Sequence, residues 1–484
     1  AAPLRATFSS FSERSPGRHR AATGRPAMES LIDALPFLMA ATLAVVLFAG
    51  YPVALTIAAV GFLFFAVGYA LDLMPLIVLF NLPLRMYSNL GENLIYPAVP
   101  MLLFMGIALE RSGIARELLT CLDLMLRRVP GSLAIAVVII GVILAPSAGL
   151  IGASVATLAL IALPSMLAQG YRIPFASGSV AAAGTLGLIF PPGLMLFFLA
   201  EHLDVRLGPM FLATVLPGLV LTFLYVIYLL VRTLVDPGVA PRSAKLEAIS
   251  ALQFAIYVVR SLALPLLLVF LVLGSIVAGV ATPTQSSAVG AAGAILLMAL
   301  NRSLSFRLFY EVAMATAMMT AMVFLIIMAA TVFSFVFIYL GGGDAVTEAL
   351  HGLGLGRWGT LLSILGLLFV MGFFIDWIEI TVIVLPIVAP ALGSLDFADY
   401  LGSPDLSMLW IAVLVALNLQ ASFLTPPFGF ALFFLKGAAP PEVRLEAVYR
   451  GVGPFVALQV LGIALVLLFP LLATWLPVYA FGSQ

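Results

Sequence analysis

The sequence predicts an all-α polytopic membrane protein built as an inverted repeat, with two re-entrant hairpins and two broken transmembrane helices. Three observations predict it. First, 63% of the 484 residues are hydrophobic and only 9% are charged, whereas about a quarter of the residues in a soluble domain are charged. Many apolar stretches also reach the roughly 20 residues that a membrane-crossing helix needs. Second, two apolar segments are each cut by a double proline and a glycine: Gly184-Thr185-Leu186-Gly187-Leu188-Ile189-Phe190-Pro191-Pro192-Gly193, and Asn418-Leu419-Gln420-Ala421-Ser422-Phe423-Leu424-Thr425-Pro426-Pro427-Phe428-Gly429. Proline removes a ladder donor and pushes its predecessor out of helical angles, so each helix must unwind and restart. Third, the order of features repeats. Ala162-Leu163-Pro164 matches Val384-Leu385-Pro386 at an offset of 222, and the double prolines match at 235; the difference of 13 fits a polar insert between Gly393 and Asp405.

In chain order, residues 1–27 hold five arginines, no lysine and one glutamate. They read as a disordered extension or an upstream mis-start ahead of Met28, with an organelle transit peptide as the alternative. Apolar spans follow at 31–49, 53–70 and 93–110, then a charged helical segment from Glu110 to Pro130. The stretch 133–166 is cut by Ala145-Pro146-Ser147-Ala148-Gly149 into limbs too short to cross alone, which suits a re-entrant hairpin. A broken helix at 173–201, a span at 208–235 and a polar linker follow. The second half repeats this with spans at 257–278, 285–300 and 308–340, a Gly-rich segment at 341–357, a hairpin at 359–392 broken near Asp376, a broken helix at 406–435 and a last span at 452–477. Of the 17 Lys and Arg after Met28, 14 fall on one side when crossings are counted, and only Arg85, Arg206 and Arg357 on the other. The positive-inside rule makes the first side cytoplasmic. The first hairpin then opens from the cytoplasm and the second from outside.

Other classes are excluded or weakened. Net charge is zero, so bulk charge points to no nucleic-acid partner. The single Cys121 excludes an intramolecular disulfide. His19, His202 and His351 lie too far apart for a metal pattern. No Walker A sequence, HExxH or nucleophile elbow is present, so the chain reads as no enzyme, with no organic cofactor and no ATP site.

Unwound backbone inside a membrane survives only where it is buried in protein or lines a polar cavity. Paired interruptions in two halves point to a secondary transporter's site. Around the first, Ser147, Gly152, Ser154, Thr185 and Gly187 offer hydroxyls and carbonyls, hard oxygens suited to Na⁺; alternatively the small residues only allow close packing. Around the second, Asp376, Thr381, Ser422, Thr425 and Gly429 form the corresponding set. Asp376 and Glu379 stand three apart, on one helical face, and a charge at mid-membrane costs about 2.5–3.5 kcal/mol on insertion scales. They ligate a cation, hold a proton or contact substrate, unless the hairpin tip reaches water and they are simply solvated. Substrate is expected between the two ion sites, near Gly184, Pro192, Asn418, Gln420 and Glu379.

Taken together, Gly184-Thr185-Leu186-Gly187 with Pro191-Pro192, Gly152-Ala153-Ser154-Val155-Ala156, Ala281-Thr282-Pro283-Thr284 and Leu424-Thr425-Pro426-Pro427 resemble the large membrane subunit of TRAP transporters, the DctM type, over about 31–477. The resemblance implies an elevator-type fold in a bacterial or archaeal inner membrane, surrounded by lipid. It implies Na⁺-driven import of an organic acid, with a small four-helix membrane subunit and a periplasmic substrate-binding protein as partners. It also divides the chain into an extension (1–30), scaffold helices (31–110), an amphipathic arm (111–132) and a first transport half (133–206). More scaffold helices (207–340, with a cytoplasmic linker at 236–256), a second arm (341–357), a second transport half (358–436) and a C-terminal helix (437–484) follow. Three positions depart from the pattern. Ala153 and Gly193 stand where relatives often have serine, and Gln285 stands where glutamate is usual after Thr-Pro-Thr. The alternatives are a stand-alone symporter or channel that needs no binding protein, and a membrane scaffold without transport.

Overall fold

The computed structural model describes residues 26–144, 151–241, 258–352 and 354–482. Most of the 1–30 extension, Ser147 at the first hairpin's tip and most of the 236–256 linker lie outside the described residues. Helices dominate, with no strand among the described residues. Seven described helices are long and apolar enough to span a membrane. The first helix, Pro26–Phe48, starts a few residues ahead of the expected span, and Val53–Ala70 matches expectation to the residue.

Two groups of helices are distinguished by packing. In the scaffold group, Ala98–Arg111 packs on Pro283–Leu300, and Phe306–Tyr339 packs on both Val53–Ala70 and Ala98–Arg111. Thr282 caps the Pro283–Leu300 helix. Its hydroxyl accepts from the Gln285 N–H at 3.2 Å, and the Gln285 side chain accepts from the Thr282 N–H at 2.9 Å. This capping box needs Glu or Gln at the third helical position, so Gln285 keeps that role without a charge.

The second group holds both hairpins and both broken helices. The first hairpin is Ser132–Ile143 with Ile151–Ala168; the second is Gly356–Met371 with Trp377–Gly393, the latter containing a π-helical turn at Ile380–Val384. Each arm packs on the hairpin of its own half: Ile114–Leu126 on Ser132–Ile143, and Gly342–Gly352 on Leu385–Gly393. The first arm leaves Ala98–Arg111 at a 58° bend. Gly113, at φ +83°, makes that bend in a left-handed conformation that side-chain-bearing residues rarely adopt.

One helix of the expected scaffold stretch 207–340 has its neighbours elsewhere. Leu207–Val235 packs chiefly on Ser132–Ile143, Leu194–His202, Asp405–Leu424 and the C-terminal helices Leu445–Leu468 and Leu471–Phe481. Its apolar pattern alone says that it crosses, not what it touches. A short 3₁₀ turn at Leu76–Phe80 leading into the helix Asn81–Leu90 was also unforeseen.

Candidate functional site

The first broken helix is buried where it breaks, whereas at the second break Thr425 and Pro426 are half-buried and Pro427 and Phe428 are exposed. The first runs over Ile173–Leu186 and Leu194–His202, the second over Asp405–Leu424 and Phe430–Ala438. Both Pro191–Pro192 and Pro426–Pro427 peptide bonds are cis. The breaks end at Gly193 and Gly429, and neither has room for a side chain. A Cβ at Gly193 would meet the carbonyl oxygens of Phe190, Leu188 and Gly187 at 2.9, 3.3 and 3.4 Å; one at Gly429 would meet those of Phe423 and Thr425 at 2.7 and 2.8 Å. Backbone oxygens thus converge at both breaks. A serine at Gly193 would crowd them, which accounts for glycine there.

The proximal limb of the first broken helix packs on both limbs of its own hairpin, and that of the second on the Gly356–Met371 limb of its own. The distal limbs cross over. Phe430–Ala438 packs on Ile151–Ala168 of the first hairpin, and Leu194–His202 on the second hairpin around Ile380–Val384. Ring contacts mark one crossing, with Phe198 and Trp377 centroids 5.7 Å apart. At the other, a Cβ on Gly152 would strike the Phe434 ring at 2.6 Å. Gly184 is as tight against Val155, at 2.5 Å. Close packing therefore accounts for Gly152 and Gly184 as glycines.

Two of the first residue set, Ser154 and Gly187, meet beside a small void. Gly184, Gly187, Ser154, Thr157 and Glu110 are among its lining, and its volume is about 10 Å³, near the lower limit for one water molecule. The Ser154 hydroxyl is buried with no hydrogen-bond partner in the protein. Thr185 is fully buried and donates to the Ala182 carbonyl at 2.9 Å, which leaves its oxygen lone pairs for another ligand. Glu110 was read only as the border of a charged segment. It projects from the scaffold helix Ala98–Arg111, where its carboxylate accepts the Thr157 hydroxyl proton. A lone carboxylate closing a 14-residue apolar helix was the available signal.

The turn of the second hairpin lies against the second break: a Cβ at Gly372 would fall 2.0 Å from the Ser422 hydroxyl, and the Phe374 and Phe428 rings are 5.2 Å apart. Ser422 donates to Leu419, and Thr425 to Ala421, both at 2.7 Å. Thr381 donates to the Trp377 carbonyl at 2.5 Å. Asp376 caps its helix by accepting the Trp377 N–H at 2.8 Å. Asp376 and Glu379 are 9% and 7% exposed, so they are not simply solvated at a hairpin tip. One Glu379 oxygen and both Gln420 amide atoms are buried without partners. Such atoms cost about 1–3 kcal/mol each unless something pairs with them. Asn418 spends one N–H on the Leu365 carbonyl at 2.8 Å, and Pro192 is buried at the first break.

Between the two helix groups lies a cavity of about 240 Å³ that sequence reasoning missed. Asn93 and Glu201 meet across it at 2.6 Å, with His202, Tyr96, Val382 and Pro386 also on its wall. Its residues come from four separate stretches of the chain, so no local motif announces it. Among the described residues, no three His, Cys, Asp or Glu side chains form a metal cluster.

A family model described as "Tripartite ATP-independent periplasmic transporter, DctM component" matches residues 40–472. The C4-dicarboxylate TRAP transporter large permease protein DctM of Pseudomonas aeruginosa is 27% identical over 400 residues, covering 82% of this chain and 89% of that one. The isethionate TRAP transporter permease protein DctMQ of Oleidesulfovibrio alaskensis is 27% identical over 75% of this chain and 55% of its own length. The ectoine TRAP transporter large permease protein TeaC of Halomonas elongata is 26% identical over 79% and 86%. Among solved structures, the YdaH transporter of Alcanivorax borkumensis superposes with a TM-score of 0.52 at 14% identity, over 84% of this chain and 89% of that one. That likeness concerns the fold alone.

Proposed function

The chain belongs to the DctM family, a component of tripartite ATP-independent periplasmic transporters, and from that premise we propose that it imports a small organic acid across the inner membrane in symport with Na⁺. It is a multi-pass permease and not an enzyme. The tripartite arrangement calls for a substrate-binding protein and a small membrane subunit, and the proposal assigns it both as partners. The relatives named for C4-dicarboxylates, isethionate and ectoine support a small acidic or zwitterionic cargo.

One observation carries the sodium reading. At each break, backbone oxygens converge on a glycine while neighbouring hydroxyls keep lone pairs. Oxygen-only shells of this kind suit a hard cation. Ser154, Thr185 and Gly187 serve the first ion, with Glu110 supplying the negative charge that the first set otherwise lacks. Asp376, Thr381, Ser422, Thr425 and Gly429 serve the second. Gln420, Asn418 and Glu379 face the cargo, beside the bound cations. The cavity at Glu201 is smaller than the roughly 300–1,000 Å³ of drug-sized sites, and suits the passage of a compact solute between scaffold and transport groups. Displacement of one group against the other is the elevator step.

The test is uptake into liposomes holding the permease and its small subunit, with loaded binding protein outside. Uptake should require Na⁺ and stop when choline replaces it at fixed pH. Undiminished uptake in choline refutes sodium coupling and makes Asp376 and Glu379 proton carriers instead.

A further inference from the structure

A cleft of about 290 Å³ lies where three helices end on one side of the membrane. Arg172 precedes the first broken helix, Arg232 closes Leu207–Val235, and Arg450 sits in the opening turns of Leu445–Leu468. All three belong to the set that the charge count places at the cytoplasmic boundary. Their guanidinium groups border the cleft, while Pro174, Phe175, Tyr228 and Pro454 give it an apolar floor. The walls are held close by glycine contact: a Cβ on Gly451 would fall 1.9 Å from the Pro174 carbonyl oxygen.

The arginines are not consumed by their partners. Arg172 pairs with Asp236 at 2.7 Å, Arg232 approaches the same carboxylate at 3.8 Å, and Arg450 pairs with Glu446 at 2.6 Å. Three cations thus share two carboxylates. These side chains remain 55%, 44% and 74% exposed, and exposed pairs of this kind hold weakly. Each guanidinium has five donors in a planar fork that matches phosphate. Val231, Leu234 and Val235, on the same helix end as Arg232, are exposed and give hydrocarbon chains a surface beside the cleft.

We propose that this cleft seats the phosphodiester headgroup of an anionic phospholipid of the cytoplasmic leaflet, with its acyl chains along Leu207–Val235. Basic pockets between transmembrane helices on the cytoplasmic side recognise such headgroups. Inorganic phosphate shares the charge chemistry but makes no use of the apolar floor. The assignment is independent of cargo and coupling ion.

Native mass spectrometry of the full chain in non-ionic detergent tests it, with dioleoyl-phosphatidylglycerol and dioleoyl-phosphatidylcholine as probes. The wild type should retain phosphatidylglycerol at about tenfold lower concentration than phosphatidylcholine. Arg232→Gln/Arg450→Gln should erase that preference, while Arg302→Gln/Arg307→Gln, elsewhere on the same side, should keep it. Inorganic phosphate in excess should not displace the lipid. Equal retention of both lipids by the wild type overturns the proposal without recourse to any variant. So does a preference that survives Arg232→Gln/Arg450→Gln or is lost in Arg302→Gln/Arg307→Gln, and so does displacement by phosphate.

Discussion

Gly372→Ala tests whether the second hairpin and second break form one site. The new methyl group would fall 2.0 Å from the Ser422 hydroxyl oxygen and 2.8 Å from its Cβ. Relief requires the turn at 372–376 to back away from Ser422, because the Ser422 hydroxyl is already engaged with Leu419. Overpacking of this size costs about 1–3 kcal/mol. If the cost falls on the ion-bound arrangement, the Na⁺ concentration for half-maximal uptake should rise about 5- to 150-fold. Thermal unfolding in detergent and Na⁺-dependent uptake should be measured on the same preparations. Ser422→Gly removes both obstructing atoms, so Gly372→Ala/Ser422→Gly should recover the lost thermal stability. It should not recover the Na⁺ dependence, because the hydroxyl is gone. A Gly372→Ala protein with unchanged melting and unchanged Na⁺ dependence would refute the contact. A double variant that regains full Na⁺ affinity would remove Ser422 from the ion site.

Three further outcomes are expected. Thr185→Val and Thr425→Val keep shape but lose an oxygen, and each should raise half-saturating Na⁺ about tenfold or more, the scale of one bond to a charged group, while the binding protein's affinity for its acid stays the same; wild-type Na⁺ curves for both would displace the ion sites. Glu110→Gln should raise the Na⁺ requirement and Glu110→Asp should raise it less, because charge rather than shape is lost in the first; equal behaviour of the two in uptake assays would make Glu110 only a packing residue. Cysteines placed at Arg302 and Asp399 should label from opposite sides of the membrane in intact cells with an impermeant maleimide, against the buried native Cys121, and labelling of both from one side would end the inverted topology.

Much of this architecture was legible because proline and glycine act locally. Pro191, Pro192, Pro426 and Pro427 break helices whatever packs around them, and the 235-residue offset between the pairs marked the repeat directly. Residues close to the breaks, such as Thr185 and Thr425, followed from that. What escaped depends on contacts between distant segments. Glu110 matters through Thr157, 47 residues away, and Glu201 through Asn93, 108 residues away. Leu207–Val235 looks like any other apolar span until its neighbours are known. Spacing placed Asp376 and Glu379 on one helical face, yet Asp376 proves to be the cap of that helix, a distinction that apolar periodicity does not make.

The crossed limbs have a mechanical consequence. Two hairpins hung separately on a scaffold would have four combinations of open and shut, and on the proposed Na⁺ coupling two of those would leak ions without cargo. Here Phe430–Ala438 is wedged on the first hairpin and Leu194–His202 on the second, so neither hairpin can swing without dragging the helix that serves the other. On the ion coupling proposed above, this interlock would leave the pair one degree of freedom and would itself suppress slippage.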